Sequence, residues 1–250
     1  MPFPPAGDIA IVVAGALVAG FVNGLTGTGY ALMALGFWLQ AMSPVTAAPL
    51  VAICSVVGHL QALRSIWSGV RWPRLWPFLA AGLLGVPLGT ALLEHVRVQP
   101  LKLGVGILLI FYSAWMGFVR RPPIVTAGGR AADAAAGFVG GVMGGMASLS
   151  GPAPTIWVQL RGWTKNEQRG VNQPFNMAVL AAALLAAAVA GLLDRTFLVW
   201  AIIAVPTSLV GARLGLMLYG RVNDAVFRQL VLVLLGLSGL TLIVSSLRSG

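Results

Sequence analysis

Apolar residues come in long runs along this chain, and the places where the runs are interrupted lay out its architecture. After Asp8 the first run extends from Ile9 to Leu39, about 31 residues, whereas one helical crossing of a roughly 30 Å hydrocarbon layer needs about 20. One straight helix is too short a use of that run, and Gly27-Thr28-Gly29 offers the place to break it. Further apolar segments run from Pro44 to Leu63, Leu75 to Leu93 and Leu101 to Val119. The plan then recurs: a broken segment from Ala131 to Leu160, interrupted over Ser148 to Pro154, is followed by Val171 to Leu193, Phe197 to Tyr219 and Ala225 to Ser246. The pattern predicts an all-α integral membrane protein of two repeats, each of four hydrophobic segments with the first one broken. Residues 1–121 make the first repeat, 122–130 a polar linker and 131–250 the second.

The duplication is also legible in the residues. At an offset of 117, Gly20, Phe21, Val22, Gly24 and Gly27 meet Gly137, Phe138, Val139, Gly141 and Gly144. At an offset of 126, Gly85, Leu88, Gly89, Leu92 and Val96 meet Gly211, Leu214, Gly215, Leu218 and Val222, and Lys102 meets Arg228. The change of offset places nine extra residues in the second copy.

Composition agrees with a membrane protein. Of 250 residues 58% are hydrophobic and 9% charged, with a mean hydropathy of +0.90, where soluble domains carry roughly a quarter charged residues. Alternating ten-residue strands of an outer-membrane barrel are absent. The net charge of +10 comes from 16 basic residues that mostly flank the apolar runs, where membrane topology places them, so nucleic acid is not the expected partner. The single cysteine, Cys54, excludes an internal disulfide framework and a thiolate metal cluster, and no cofactor or metal is expected. The first eight residues lack a basic region, so the first apolar run does not read as a cleaved leader.

Charge also discriminates between topologies. If all eight segments cross once, the loop cations divide eight against seven and give no orientation. If each broken segment is instead a re-entrant hairpin with arms of about 12–15 residues, reaching the midplane at 1.5 Å per residue, the division becomes eleven against four. Arg64, Arg71, Arg74, Arg120, Arg121, Arg130, Arg161, Lys165, Arg169, Arg221 and Arg228 then share the inner side, as the positive-inside rule requires. Both termini lie outside and the repeats are inverted.

Irregular backbone at membrane depth must line a cavity or be buried in protein, and paired broken helices point to a transporter's binding site. Half-helices starting near Gly29-Tyr30 and Gly151-Pro152 would aim free N–H groups at such a site and attract an anion. Asn23, Thr26, Gly27 and Thr28 at the first break, and Ser148 and Ser150 at the second, add donors and room for close approach. Small and hydroxyl residues also serve simply to let helices pack. Asn172, Gln173 and Asn176 form the most polar stretch inside any predicted segment, with Asn172 and Asn176 on one helix face; they line the substrate path or cap a membrane entry. His59 and Arg213 complete the candidate set, His59 as either a group titrating near neutral pH or a satisfied structural histidine late in its segment, and Arg213 as either an anion contact or a residue snorkelling to the interface. All six acids, Asp8, Glu94, Asp133, Glu167, Asp194 and Asp224, sit at segment ends, so a relay built on a mid-membrane carboxylate is not predicted.

At these residues the chain resembles the sulfite exporter TauE/SafE family, also called the toluene-sulfonate uptake permease family. The resemblance rests on the stretches Gly20 to Tyr30 and Gly137 to Gly151, on Gly85-Val86-Pro87-Leu88-Gly89 with its counterpart Gly211 to Gly215, and on Gln173-Pro174-Phe175-Asn176. It implies a bacterial inner-membrane permease for a small anion such as sulfite, thiosulfate or an organosulfonate, with lipid around it and a homo-oligomer left open. The first break, Gly27-Thr28-Gly29-Tyr30-Ala31, has a shorter glycine run than the family commonly carries, and the second, Met146 to Gly151, lacks consecutive glycines; substrate choice follows neither familiar pattern. Two other readings remain: a channel-like anion pore, and an intramembrane serine protease built on Ser150-Gly151 with His59 or His95 as base.

Overall fold

The computed structural model describes residues 5–26, 29–66, 70–93, 95, 97–118, 123–218 and 224–248. These residues form ten helices and no strand: α1 (Ala6–Thr26), α2 (Tyr30–Trp38), α3 (Pro44–Ile66), α4 (Trp72–Leu93), α5 (Val98–Phe118), α6 (Gly129–Ala147), α7 (Pro152–Leu160), α8 (Lys165–Val189), α9 (Arg195–Leu218) and α10 (Asp224–Arg248). Six of them, α1, α3, α4, α5, α8 and α9, are long and apolar enough to cross a membrane. Their outer faces are apolar too: Leu84 on α4 is 75% exposed and Ile202 on α9 is 74% exposed. An apolar exterior of this kind is at home in lipid, with every helical backbone group satisfied internally.

Both overlong runs are split, each into a long helix and a nine-residue one. The arms are unequal, 21 residues in α1 and 19 in α6, not the matched arms of 12–15 that halving each run gives. The break sits late because each short helix doubles back along its long partner. Gly29 lies against Val22, and at the far end of α2 the Trp38 indole N–H donates to the Val12 carbonyl at 3.1 Å. In the second pair Pro154 packs on Gly140, and the Trp157 indole N–H donates to Asp133 at 2.7 Å. Asp133 also faces Arg161 at 3.5 Å, so the base of the second hairpin is closed by a largely buried ion pair.

Three connections gather at one end of the bundle. Arg74, at the start of α4, meets Glu167, at the start of α8, at 2.7 Å, and its guanidinium lies over the Trp163 ring at 4.9 Å. The Arg161 guanidinium donates to the Thr126 carbonyl at 3.2 Å, and the Val125 N–H donates to the Leu160 carbonyl at 2.7 Å. The chain before α4, the chain before α6 and the α7–α8 turn therefore lie on the same side.

Glycine sets the main helix crossings. On α1, Gly20 and Gly24 abut the carbonyls of Ser208 and Ala212 on α9, while Gly211 and Gly215 of α9 abut those of Leu17 and Phe21. The pair α4 and α6 is built alike: Gly141 and Gly145 abut the carbonyls of Gly82 and Val86, and Gly85 and Gly89 abut those of Phe138 and Val142. A Cβ at these positions would collide with backbone, so the helices approach as closely as small-residue packing allows in lipid. Equivalent contacts are 121 residues apart in the first helices (Gly20 and Gly141) and 126 apart in α4 and α9 (Gly82 and Ser208). The offset of 117 read from matching letters is thus one helical turn out of step with the contacts, because a glycine every fourth residue lets the same letters match at either register.

Candidate functional site

The two breaks meet. Gly29, Tyr30, Ala31 and Leu32 from the start of α2, and Ser148, Ser150, Gly151, Pro152 and Thr155 around the start of α7, line one cavity of about 30 Å³. Asn23 of α1, Ser55 and His59 of α3, Tyr112 of α5, and Asn176 and Leu180 of α8 complete its wall. This is room for a couple of waters or a few heavy atoms; an aromatic sulfonate does not fit without the walls moving.

Local chemistry explains why the chain breaks here. Gly29, the residue before α2, has φ 90°, a left-handed conformation that glycine adopts without penalty. Ser148 ends α6 at φ 56°, and it is the one non-glycine residue with positive φ among the described residues. Such a residue persists only where its surroundings hold it. Here its N–H bonds Gly144, the next N–H, of Leu149, reaches Met143 at 3.1 Å, and its hydroxyl donates to the Ala48 carbonyl of α3 at 2.6 Å. Pro152 then occupies the first turn of α7, where its missing N–H costs nothing.

Two helix starts away from the cavity, those of α8 and α9, carry side-chain caps. Thr164 and Glu167 form a reciprocal capping box at the start of α8, and Asp194 accepts from the Phe197 N–H at the start of α9 at 2.8 Å. Neither α2 nor α7 has a side-chain cap. At α2 the residues with free first-turn N–H groups, Tyr30, Ala31 and Leu32, line the cavity. In α7, Pro152 and Pro154 have no N–H and the Thr155 N–H bonds the Gly151 carbonyl, so that helix offers the cavity the positive end of its dipole and no row of first-turn donors. No Asp, Glu, Lys or Arg side chain lines the cavity among the described residues. What it presents to an occupant is a set of neutral donors biased towards negative charge.

Side chains refine that set. The Ser150 hydroxyl donates to the Asn176 side-chain oxygen at 2.7 Å, which leaves the Asn176 NH₂ as a donor beside Gly151. Asn23 is 5% exposed and its side-chain oxygen has no hydrogen-bond partner among the described residues. The Tyr30 and Ser208 hydroxyls meet at 2.5 Å, tying α2 to α9.

Of the residues singled out by sequence, Asn23, Gly29, Tyr30, His59, Ser148, Ser150, Gly151 and Asn176 share the cavity. Gly27, Thr28 and the side chain of Thr26 lie outside the described residues. Asn172 and Gln173 are buried but do not line the cavity. They sit about two turns into α8, since that helix starts at Lys165 and not near Val171. Capping there belongs to Thr164 and Glu167, so the amides are not an entry cap. Arg213 is exposed, because Gly211, Ala212 and Gly215 take the face of α9 that packs on α1; it is not a cavity residue. Sequence reading passed over Ser55, Tyr112 and Thr155. Ser55 stands one turn from His59 on the same face of α3, a spacing visible in the sequence; Tyr112, within a mostly apolar stretch of α5, gave no such signal.

Ser150 bonds an amide and not an imidazole, so the pairing of serine with a base that a protease needs is not formed. His95 lies at the exposed end of α4, its ring bonded to the Ala91 carbonyl at 3.1 Å.

Comparison with known families bears on the same residues. A family model described as sulfite exporter TauE/SafE matches residues 12–242. No curated protein and no solved structure matches. The matched span takes in both hairpins, the cavity between them and the six long apolar helices almost entire, as expected of a multi-pass membrane protein. The chain belongs to the sulfite exporter TauE/SafE family, a family of membrane permeases for sulfite and related anions.

Proposed function

We propose that this protein carries a small sulfur oxyanion, of the sulfite or thiosulfate class, across the bacterial inner membrane through the cavity between the starts of α2 and α7. The observation that carries the reading is the pair of uncapped helix N-termini converging on one cavity that no carboxylate lines among the described residues. An anion entering there exchanges hydration for the first-turn N–H groups of α2 and the Asn176 NH₂, with the dipole end of α7 behind them. The small cavity favours sulfite and thiosulfate over bulky sulfonates.

The same reading makes residues 1–121 and 131–250 two inverted units joined by 122–130. Each unit opens with a hairpin that returns to its own side and then crosses three times, so the second unit starts from the opposite face. The gathering of Arg74, Thr126, Arg161 and Glu167 at one end supports it, since eight single crossings would set the segments before α4 and α8 on opposite faces. With those cations inside, both termini lie outside. The exchanged contacts, α1 on α9 and α6 on α4, favour a two-fold relation between the units. Transport then proceeds by alternating exposure of the cavity to either side.

The test is flux into liposomes containing purified protein. Saturable uptake of sulfite or thiosulfate with counterflow, strongly reduced in Asn176→Ala, is the expected result. Non-saturating flux without counterflow would point to a channel-like pore, and failure of every small sulfur oxyanion to move would end the proposal.

A further inference from the structure

Resting on the permease reading, we infer that His59 is the proton carrier that couples each anion to one proton. His59 is 4% exposed and lines the cavity from α3, one turn from Ser55. Of the lining residues three can titrate: His59, Tyr30 of α2 and Tyr112 of α5. Of these side-chain types, histidine is the one that titrates near neutral pH when free in water. The other helices packed on α3 bring no charge to it: α1 contributes Asn23 to the cavity wall, α6 ends at Ser148, and α8 contributes Asn176 and Leu180. Ser208 of α9 bonds Tyr30, Arg213 of α9 is exposed, and Asp133 of α6 is engaged by Trp157 and Arg161.

The consequence is electrostatic. Neutral donors can orient an anion, but its charge must still leave water for a confined site. An imidazolium at His59 supplies the missing opposite charge. Conversely, an imidazolium in the empty cavity has no counter-charge among the lining residues, and the anion provides one. Each therefore favours the other's arrival, and linkage makes them travel together. His59 is the one histidine that lines the cavity among the described residues, so the ratio expected is one proton per anion. In the step itself an imidazole nitrogen takes a proton from hydronium on the side where the anion enters, an O–H bond breaking as the N–H bond forms and water being left. On the far side the N–H bond breaks as the anion leaves and water becomes hydronium, so the net change is one proton moved with the anion.

Thiosulfate is the probe, because its charge stays constant over the histidine range while sulfite itself titrates. Binding to the purified protein is measured calorimetrically in buffers of different ionisation enthalpy, between about pH 5 and 8. The expected result is uptake of about one proton per thiosulfate at the upper end of the range, with affinity falling about tenfold per pH unit there. In His59→Gln both the proton uptake and the pH slope disappear and affinity rests at its weak limit; His59→Asn serves as a second variant. Pronounced thiosulfate binding with no proton uptake by the unaltered protein overturns the inference while leaving the permease reading intact. A pH slope retained in a folded His59→Gln protein does the same. Absence of any anion binding removes the permease reading, and this inference with it. The proton count on the unaltered protein decides the matter even where neither variant folds.

Discussion

The Ser150 hydroxyl donates to the Asn176 side-chain oxygen at 2.7 Å, and that bond decides which end of the amide faces the cavity. Ser150 is thereby a positioning residue and Asn176 a donor. Loss of a hydrogen bond to a charged partner costs about 1.5–3 kcal/mol, and loss of a neutral one about 1 kcal/mol. Asn176→Ala should therefore lower kcat/KM for thiosulfate flux roughly 10- to 100-fold, and Ser150→Ala only about 5-fold. Initial rates in liposomes measure both. A larger loss for Ser150→Ala than for Asn176→Ala would reverse the roles.

Gly141 is the second prediction. A Cβ there meets the Gly82 carbonyl, and forcing extra atoms into a packed contact costs about 1–3 kcal/mol. Gly141→Ala should lower the melting temperature in detergent. Gly104, also helical, has nothing within 4 Å of a Cβ, so Gly104→Ala should be neutral or mildly stabilising, alanine being the better helix former by about 1 kcal/mol. Equal effects at the two sites would refute the account of the crossing.

The base of the second hairpin gives a third. Asp133 accepts from Trp157 and faces Arg161, and removing one partner of a largely buried pair costs about 3 kcal/mol. Asp133→Ala should reduce thermal stability by about that amount, and adding Arg161→Met should restore part of it. A double variant less stable than the single one would show that the pair does not act as a unit.

Sidedness is the fourth. Ala127→Cys and Thr164→Cys, both exposed, should react with a membrane-impermeant maleimide only from inside, and Arg195→Cys only from outside. The one native thiol, Cys54, is buried and gives little background. Labelling of Ala127→Cys and Thr164→Cys from opposite faces would contradict a returning hairpin.

Much of this was legible in the chain. The length of the run from Ile9 to Leu39 required a break, and the glycines showed where; the same held around Ser148. The convergence of both breaks on one cavity followed from their pairing. Residue-level roles were less legible, for reasons of helical phase. A glycine every fourth residue fixes which face packs but not the register, so matching letters landed one turn from the matching contacts. Asn172 and Asn176 share a face by spacing alone, yet only Asn176 reaches the cavity, because the hairpin tip touches α8 at one turn and not the next. Arg213 was ambiguous until the facing of Gly211 and Gly215 on α1 set the rotation of α9.

The glycine crossings also say what can move. Helices in backbone contact over two turns, with no side chains between them to slide or repack, are fastened as one piece. Here α1 is fastened to α9 and α4 to α6, so each piece takes one helix from either half of the sequence. A motion that rocked the first half of the chain against the second would have to tear both pairs open. Any rocking motion that keeps these crossings closed would carry mixed bodies, α1 with α9 and α4 with α6, each drawn from both ends of the sequence.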